Sequence, residues 1–532
     1  MSKNFASLLK ASIFGEILCD RIKTNNKNPS FEEYLFFMEA FIIKAGQFIL
    51  CLAILIFLHE LGHFTFARIF KTRIDKFYLF FNLKISLFRA KKINGKWQFK
   101  FFAPNVPANE RPKRDADGDI ILDDKKQPIM ELIPLNELAD DDWRKYPEST
   151  EWGIGWLPFG GYCKIAGMID ESMDTTQLQC EPKQWEYRSR PIWQRMFIIS
   201  GGVLVNFVLA LMIFSAVLFT WGREYIPLEN AKYGLQFSQT LLDNGFENGD
   251  NVIKIDGESL TQTSDVVKKI LIEGKQNIIV LRNGQLVEIK LPKDIAQTIL
   301  KKEEADLVSM RYPFVITTVA ADTPAAQANL QKGDSLVGIN GQPLFVYQDI
   351  VKALDENKNS SIELAYVRDG VLQETTVNLT ETGKLGVDIK RPFQILQTKQ
   401  LEYTFFESIP AGISLGWQTL SDYVKQFRLV FTKEGAKQIG GFGTLGSLFA
   451  PVWDWHSFWM MTALLSIILA FMNFLPIPAL DGGHFLFLLY EMIARRKPNE
   501  KFMEYAHTIG FFLLIALLLY ANGNDIIRFF FK

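Results

Sequence analysis

The chain predicts a polytopic α-helical membrane protein with about four transmembrane helices, a membrane-associated β-hairpin region and two α+β domains outside the cytoplasm. Three observations carry this. Four segments approach the roughly 20 apolar residues that cross a bilayer: Phe41 to Phe70, Ile192 to Trp221, Phe458 to Leu480 and His507 to Tyr520. Between the second and third, Gly249-Asp250-Asn251-Val252-Ile253-Lys254-Ile255-Asp256-Gly257 recurs at a constant offset as Gly333-Asp334-Ser335-Leu336-Val337-Gly338-Ile339-Asn340-Gly341, so one small domain is present twice. Lys and Arg gather beside the span ends in the loop after the first span and in the connection after the third, which orients the chain.

Composition agrees with a membrane protein carrying globular modules. Of 532 residues 48% are hydrophobic, and 45 are Phe. The formal net charge of -1 gives no broad basic surface, so nucleic acid is not an expected partner. Cys19, Cys51, Cys163 and Cys180 form no C-x-x-C pair, so neither a disulfide framework nor a thiolate metal site is indicated.

In chain order, residues 1–37 form an N-terminal extension. It lacks the apolar core and cleavage site of a secretory signal, contains at most a short amphipathic helix from Ala6 to Leu18, and precedes a possible protein start at Met38. Residues 38–70 are the first span. Residues 71–190 are a loop rich in Lys and Arg (Arg68, Lys71, Arg73 and Lys76 at one end, Arg188, Arg190 and Arg195 at the other), hence cytoplasmic. Within it, the hydrophilic insertion 93–150 reads as flexible or partly folded, and 154–170 reads as a re-entrant hairpin. Residues 191–222 are the second span, and 223–308 and 309–395 the two repeated domains. A linker with amphipathic helices follows at 396–455, then the third span at 456–483. A cytoplasmic connection at 484–505, with Arg495, Arg496, Lys497 and Lys501, leads to the fourth span and C-terminus at 506–532.

The first span carries the chemistry. Phe57-Leu58-His59-Glu60-Leu61-Gly62-His63 follows an uninterrupted apolar run, where polar side chains cost several kcal/mol and stand for a function. On a helix His59 and His63 lie one turn apart on one face, so both imidazoles reach one ion, with Glu60 beside them as general base. Two satisfied core histidines are the bland alternative, and the apolar setting disfavours it. Zinc takes a third protein ligand and keeps an open position. Asn473-Phe474-Leu475-Pro476-Ile477-Pro478-Ala479-Leu480-Asp481-Gly482-Gly483 offers Asp481 at matching depth in the third span, where two alternate prolines must break the helix. A helix-terminating Asp-Gly turn is the alternative for Asp481 taken alone.

Each repeated domain continues as an amphipathic stretch (Ser264 to Glu273; Gln348 to Asn357) and a hairpin turn at Asn283-Gly284 or Asp369-Gly370. With Pro324-Ala325-Ala326-Gln327-Ala328-Asn329-Leu330 ahead of the second motif, these look like PDZ domains, the first more divergent. PDZ domains bind extended peptides by strand addition. Spacers with empty grooves are the alternative.

Together, His-Glu-Leu-Gly-His, the segment Leu157-Pro158-Phe159-Gly160-Gly161-Tyr162-Cys163-Lys164, Gly202 to Asn206 on the second span and Pro-x-Pro-x-Leu-Asp-Gly-Gly on the third resemble the site-2 protease family of intramembrane zinc metalloproteases. The closest branch is the bacterial regulator of sigma-E protease type with tandem PDZ domains. The resemblance runs from Met38 to the C-terminus. It implies a zinc metalloendopeptidase with one Zn2+ held by His59, His63 and Asp481, and Glu60 as the catalytic base. It also implies a substrate strand held by Asn206, Asn473 and the Gly160-Gly161-Tyr162 loop. Expected partners are the lipid bilayer and single-pass transmembrane substrates such as an anti-sigma factor or signal peptide remnants. The expected location is the cell inner membrane, with the PDZ-like domains extracytoplasmic and the active site towards the cytoplasm. Departures are Gly202-Val203 where many members have Gly-Pro, the 93–150 insertion, and Gly440-Gly441-Phe442-Gly443-Thr444 in place of a Gly-Pro-rich segment. His484 reads as a support for Asp481 or as a generic helix-start residue.

Two readings from other classes compete. A scaffold without catalysis has no reason to keep His59, Glu60, His63 and Asp481 in lipid, and a metal transporter would place polar residues along several spans.

Overall fold

The computed structural model describes residues 31–531 apart from 107–109, 114–119, 122–127, 129, 159, 169–181, 303 and 305. Four helices are long and apolar enough to cross a membrane, over Met38–Ile69, Ile192–Trp221, Trp455–Phe474 and Lys501–Phe529. The short helix expected at Ala6 to Leu18 lies outside the described residues.

Helix α1 (Phe31–Ile69) starts before the boundary drawn at 38 and carries the histidines in its last three turns. The chain then enters a five-stranded sheet of β1 (Ile74–Leu79), β2 (Ile85–Ile93), β3 (Lys96–Pro104), β4 (Glu151–Ile154) and β5 (Tyr162–Ile165), in the order β3-β2-β4-β1-β5. This corrects the hairpin expected at 154–170. Strands β4 and β5 are not neighbours, because β1 lies between them, parallel to β4 and antiparallel to β5. The physical reason is Tyr78 on β1. Its ring occupies the place a Cβ would take on Gly153, and it stacks on Tyr162 at 5.1 Å and 4°. Part of the 93–150 insertion is ordered sheet, since β3 pairs with β2 along its whole length.

Helix α2 (Ile192–Trp221) is the hub of the membrane part. Beyond it the duplicated motif builds two modules. The first has β6 (Leu235–Phe237), β7 (Asn251–Ile255), β8 (Asn277–Arg282), β9 (Gln285–Lys290) and β10 (Val308–Met310), with β6 paired to β10 apart from the main sheet. The second has β11 (Phe314–Val319), β12 (Ser335–Ile339), helix α3 (Tyr347–Glu356), β13 (Ser361–Arg368), β14 (Val371–Asn378) and β15 (Val387–Ile389), ordered β14-β13-β12-β11-β15. Met310 and Tyr312 pack into the first module's core, so the boundary falls a few residues after 308. In both modules the Asp of the repeated motif is fully buried and clamped by the Arg before the hairpin turn. Arg282 donates to both oxygens of Asp250 at 2.8 Å, and Arg368 to both of Asp334 at 2.7 Å.

Amphipathic α4 (Phe405–Phe427) packs on α2, its Gly412 and Gly416 admitting Ser215 and Leu211. Helix α5 (Trp455–Phe474) ends where expected, at the first proline. The chain turns helical again as α6 (Asp481–Ala494), which lies in the stretch joining α5 to α7 (Glu500–Phe531). The cause is the apolar run after Asp481: Leu488 joins the core, and Glu491 meets Arg195 of α2 through two hydrogen bonds of 2.7 and 3.0 Å.

Both partners of that pair are buried, so removing one strands a charge, at a cost of about 3–5 kcal/mol. Glu491→Ala is expected to lower the unfolding temperature in detergent by far more than the double variant Arg195→Met/Glu491→Leu, and equal losses would show that the pair is dispensable. A second expectation concerns pH. Burial alone would raise the Asp334 carboxyl, but the Arg368 bonds outweigh it and hold the group below its usual value. Its contribution is therefore present above the unfolded value of about 3.9 and lost as pH falls through the depressed folded one. The calorimetric transition of the second module should drop steeply in that acid range, and Asp334→Asn should lower the transition at neutral pH and flatten this dependence.

Candidate metal and catalytic centre

The site begins with a contact that has no side chains. A Cβ on Gly62 would lie 2.3 Å from the Gly201 carbonyl oxygen, and one on Gly202 would lie 2.5 Å from both His59 Cε1 and His63 Nε2. Glycine at these places lets α1 and α2 approach backbone to backbone. The two imidazoles then lie against α2, with ring centroids 4.9 Å apart.

The third candidate ligand arrives through the broken span. Pro476 and Pro478 cannot donate to a helix, and the loop 475–480 closes on itself through Ile477 N–H to Leu475 O and Leu480 N–H to Ile477 O. Ala479 sits in the left-handed region at φ 83, its N–H donated to His507 Nδ1 on α7 at 3.2 Å. A Cβ on Gly510 would lie 1.8 Å from the Pro478 carbonyl oxygen, so α7 presses directly on this loop. Asp481 opens α6 and points back at the histidines.

His59 Nε2 lies 3.2 Å from His63 Nε2 and 3.2 Å from Asp481 Oδ2, and His63 Nε2 lies 3.4 Å from that oxygen. Zinc–nitrogen and zinc–oxygen bonds of about 2.0–2.1 Å in a tetrahedron make donor–donor edges of about 3.3 Å. The three donor atoms match that spacing, and Asp481 Oδ2 is buried without a hydrogen-bond partner among the described residues. Two neutral imidazoles and a carboxylate are also the donor types zinc takes. The residues present therefore fit the ion. His63 Nδ1 lies 2.9 Å from the Ile198 carbonyl, which accepts its proton and turns Nε2 toward the ion.

A cavity of about 550 Å³ opens onto these atoms and is lined by Glu60, Tyr162, Asn473 and His484 among others. Cys163, Lys164 and Ile165 of the edge strand β5 line the same cavity as Glu60. Asn473 Nδ2 lies 3.4 Å from His59 Nε2, on the cavity side of that ring. Tyr162 donates its hydroxyl to Asn82. The structure thus brings His59, Glu60, His63, Asp481, Asn473 and Tyr162 together at one cavity. Gly160 and Gly161 do not line it: Gly160 accommodates the Phe81 ring, and Gly161 the Tyr78 carbonyl and Ile56. Asn206, fully buried, lies behind His59, its Nδ2 3.1 Å from the ring's Nδ1. His484 lines the cavity and packs on His507 at 4.4 Å. Sequence reasoning did not single out the Ile198 carbonyl, the closeness of Gly202 to both rings, or His507. Only Gly202 left a trace in the sequence, as part of the Gly202 to Asn206 segment.

The model of peptidase family M50 matches residues 47–106 and 142–517. The chain belongs to peptidase family M50. The regulator of sigma E protease of Haemophilus influenzae is 24% identical over 518 residues, 92% of this chain and all of its own. A relative from Rickettsia conorii, named as a zinc metalloprotease, is 23% identical over 485 residues, covering 91% of this chain and 98% of its own. A Listeria monocytogenes PDZ domain aligns with 14% of this chain and 85% of its own at 21% identity and a TM-score of 0.13. This M50 peptidase is a multi-pass membrane metalloprotease.

Gly202→Ala is expected to abolish stoichiometric zinc binding, since the new methyl would displace both rings. Gly46→Ala, in open space on α1, should leave it intact. Metal content of the purified variants checks this, and full zinc in Gly202→Ala would overturn the packing argument.

Proposed function

We propose that this M50 peptidase hydrolyses peptide bonds inside the transmembrane segments of single-pass membrane proteins, using one zinc ion held by His59, His63 and Asp481. The observation that carries the reading is the donor triangle opening, together with Glu60, onto a cavity flanked by the edge strand β5. When bound, the ion supplies Lewis-acid activation of water and of the scissile carbonyl. Glu60 takes a proton from the attacking water and returns it to the leaving amine. A helical substrate must first unwind, because its carbonyls are engaged in helical hydrogen bonds. Strand β5 stands at the end of its sheet and is the side on which that extended strand would be added. Asn473 and Tyr162 project into the same space, and Gly160 and Gly161 shape the turn that leads into the edge. The Asn473 amide stands on the cavity side of His59, where a substrate carbonyl would lie.

In this reading the Lys- and Arg-rich sheet region faces the cytoplasm, and the enzyme sits in the cell inner membrane with its site toward that side. The two modules are then extracytoplasmic and PDZ-like, and they exclude substrates whose outer domains have not been trimmed. The likeness to the Haemophilus regulator of sigma E protease supports an anti-sigma factor as one substrate, and signal peptide remnants, short and already trimmed, suit the same geometry.

The test is cleavage of a tagged single-span substrate by reconstituted enzyme. Wild type should cleave and a zinc chelator should stop it. Glu60→Gln should lose about a hundredfold or more in rate while keeping its zinc, and Asp481→Ala should lose both. Undiminished cleavage by Glu60→Gln would sink the assigned role.

A further inference from the structure

We propose that Asn206 is a positioning residue of the metal centre: its side-chain carbonyl accepts the Nδ1 proton of His59 and fixes the tautomer whose Nε2 faces His63 and Asp481. The inference rests on the zinc reading of that cluster and departs from the expectation that Asn206 holds substrate.

Asn206 is fully buried in α2 and does not line the cavity. Its amide reaches His59 from the side opposite Asn473, which meets Nε2. A neutral imidazole that gives its Nε2 lone pair to a metal carries its proton on Nδ1, and that proton needs an acceptor. The group in front of His59 Nδ1 is the Asn206 amide at 3.1 Å, while Asn206 Oδ1 is buried without a partner. Oxygen and nitrogen of an amide exchange by a half-turn without moving any heavy-atom position. Either orientation leaves one amide atom unpaired among the described residues, so the ring decides between them. With nitrogen toward Nδ1, the His59 proton is forced onto Nε2, against His63 Nε2 at 3.2 Å and Asp481 at 3.2 Å, where the metal belongs. With oxygen toward Nδ1, the lone pair is free. His63 has the same arrangement with another acceptor, the Ile198 carbonyl. Ser466 on α5 donates to the Asn206 backbone carbonyl at 2.7 Å and holds this turn of α2 in place.

The test uses full-length protein in detergent and zinc ion alone, its affinity read by competition with a chelating dye. Variants are Asn206→Leu, similar in volume without an acceptor, and Asn206→Asp, which keeps an oxygen in the same place. Wild-type binding checks the zinc reading itself: no zinc there would remove the basis of both proposals. Given binding, Asn206→Leu should weaken it by about 10–100-fold, and Asn206→Asp should stay within a few-fold of wild type. Wild-type affinity in Asn206→Leu would overturn the inference, and if that variant also failed to cleave, Asn206 would belong to the substrate after all. Equal loss in both variants would overturn it too, by reducing Asn206 to packing.

Discussion

The bare approach of Gly62 to Gly201 and Gly202 is the constraint on which the membrane half depends. Helices in lipid gain little from burying apolar side chains against each other, so close backbone contact and polar links set their geometry. Here the contact brings α2 against the histidine-bearing turns of α1. The same α2 then carries the polar links to the other helices: the Asn206 carbonyl to Ser466 of α5, Arg195 to Glu491 of α6 and the Ile198 carbonyl to His63. A methyl group at position 202 would therefore disturb more than one helix pair, because the His59 and His63 rings pack on the same stretch of α2 that carries the inter-helix links.

The second requirement is a carboxylate at the right depth, and the chain meets it by breaking a span. Loose backbone in lipid is expensive unless protein satisfies it, and the loop 475–480 does so through its own turns, through His507 and through the close seat of Gly510. Ala479 holds a left-handed conformation that costs roughly 1–2 kcal/mol for a residue with a side chain. Its neighbours over-determine it. Helix α7, remote from the chemistry in sequence, is thus part of what aims Asp481.

Outside the spans the two modules show one device used twice. A buried Asp held by a forked Arg closes the turn before the central strand in each, although the first module splits its sheet and the second keeps it whole. The repeated Gly-Asp pair therefore marks a buried ion pair.

From the sequence alone came the spans, the repeat and the grouping of His59, His63 and Asp481 with Glu60 beside them, because each rests on local physics: a run of apolar residues, one turn of helix, two alternate prolines. The end of the third span was legible for the same reason. The hairpin at 154–170 was misplaced because strand neighbours depend on partners far along the chain, here Tyr78; the helix Asp481–Ala494 within the 484–505 connection was not legible because it rests on Arg195 of α2. The two asparagines illustrate the same divide. Both look alike as polar residues in apolar runs, yet Asn473 meets His59 at Nε2 and Asn206 meets it at Nδ1, and only the packing of α2 and α5 on α1 assigns them to different nitrogens of one ring.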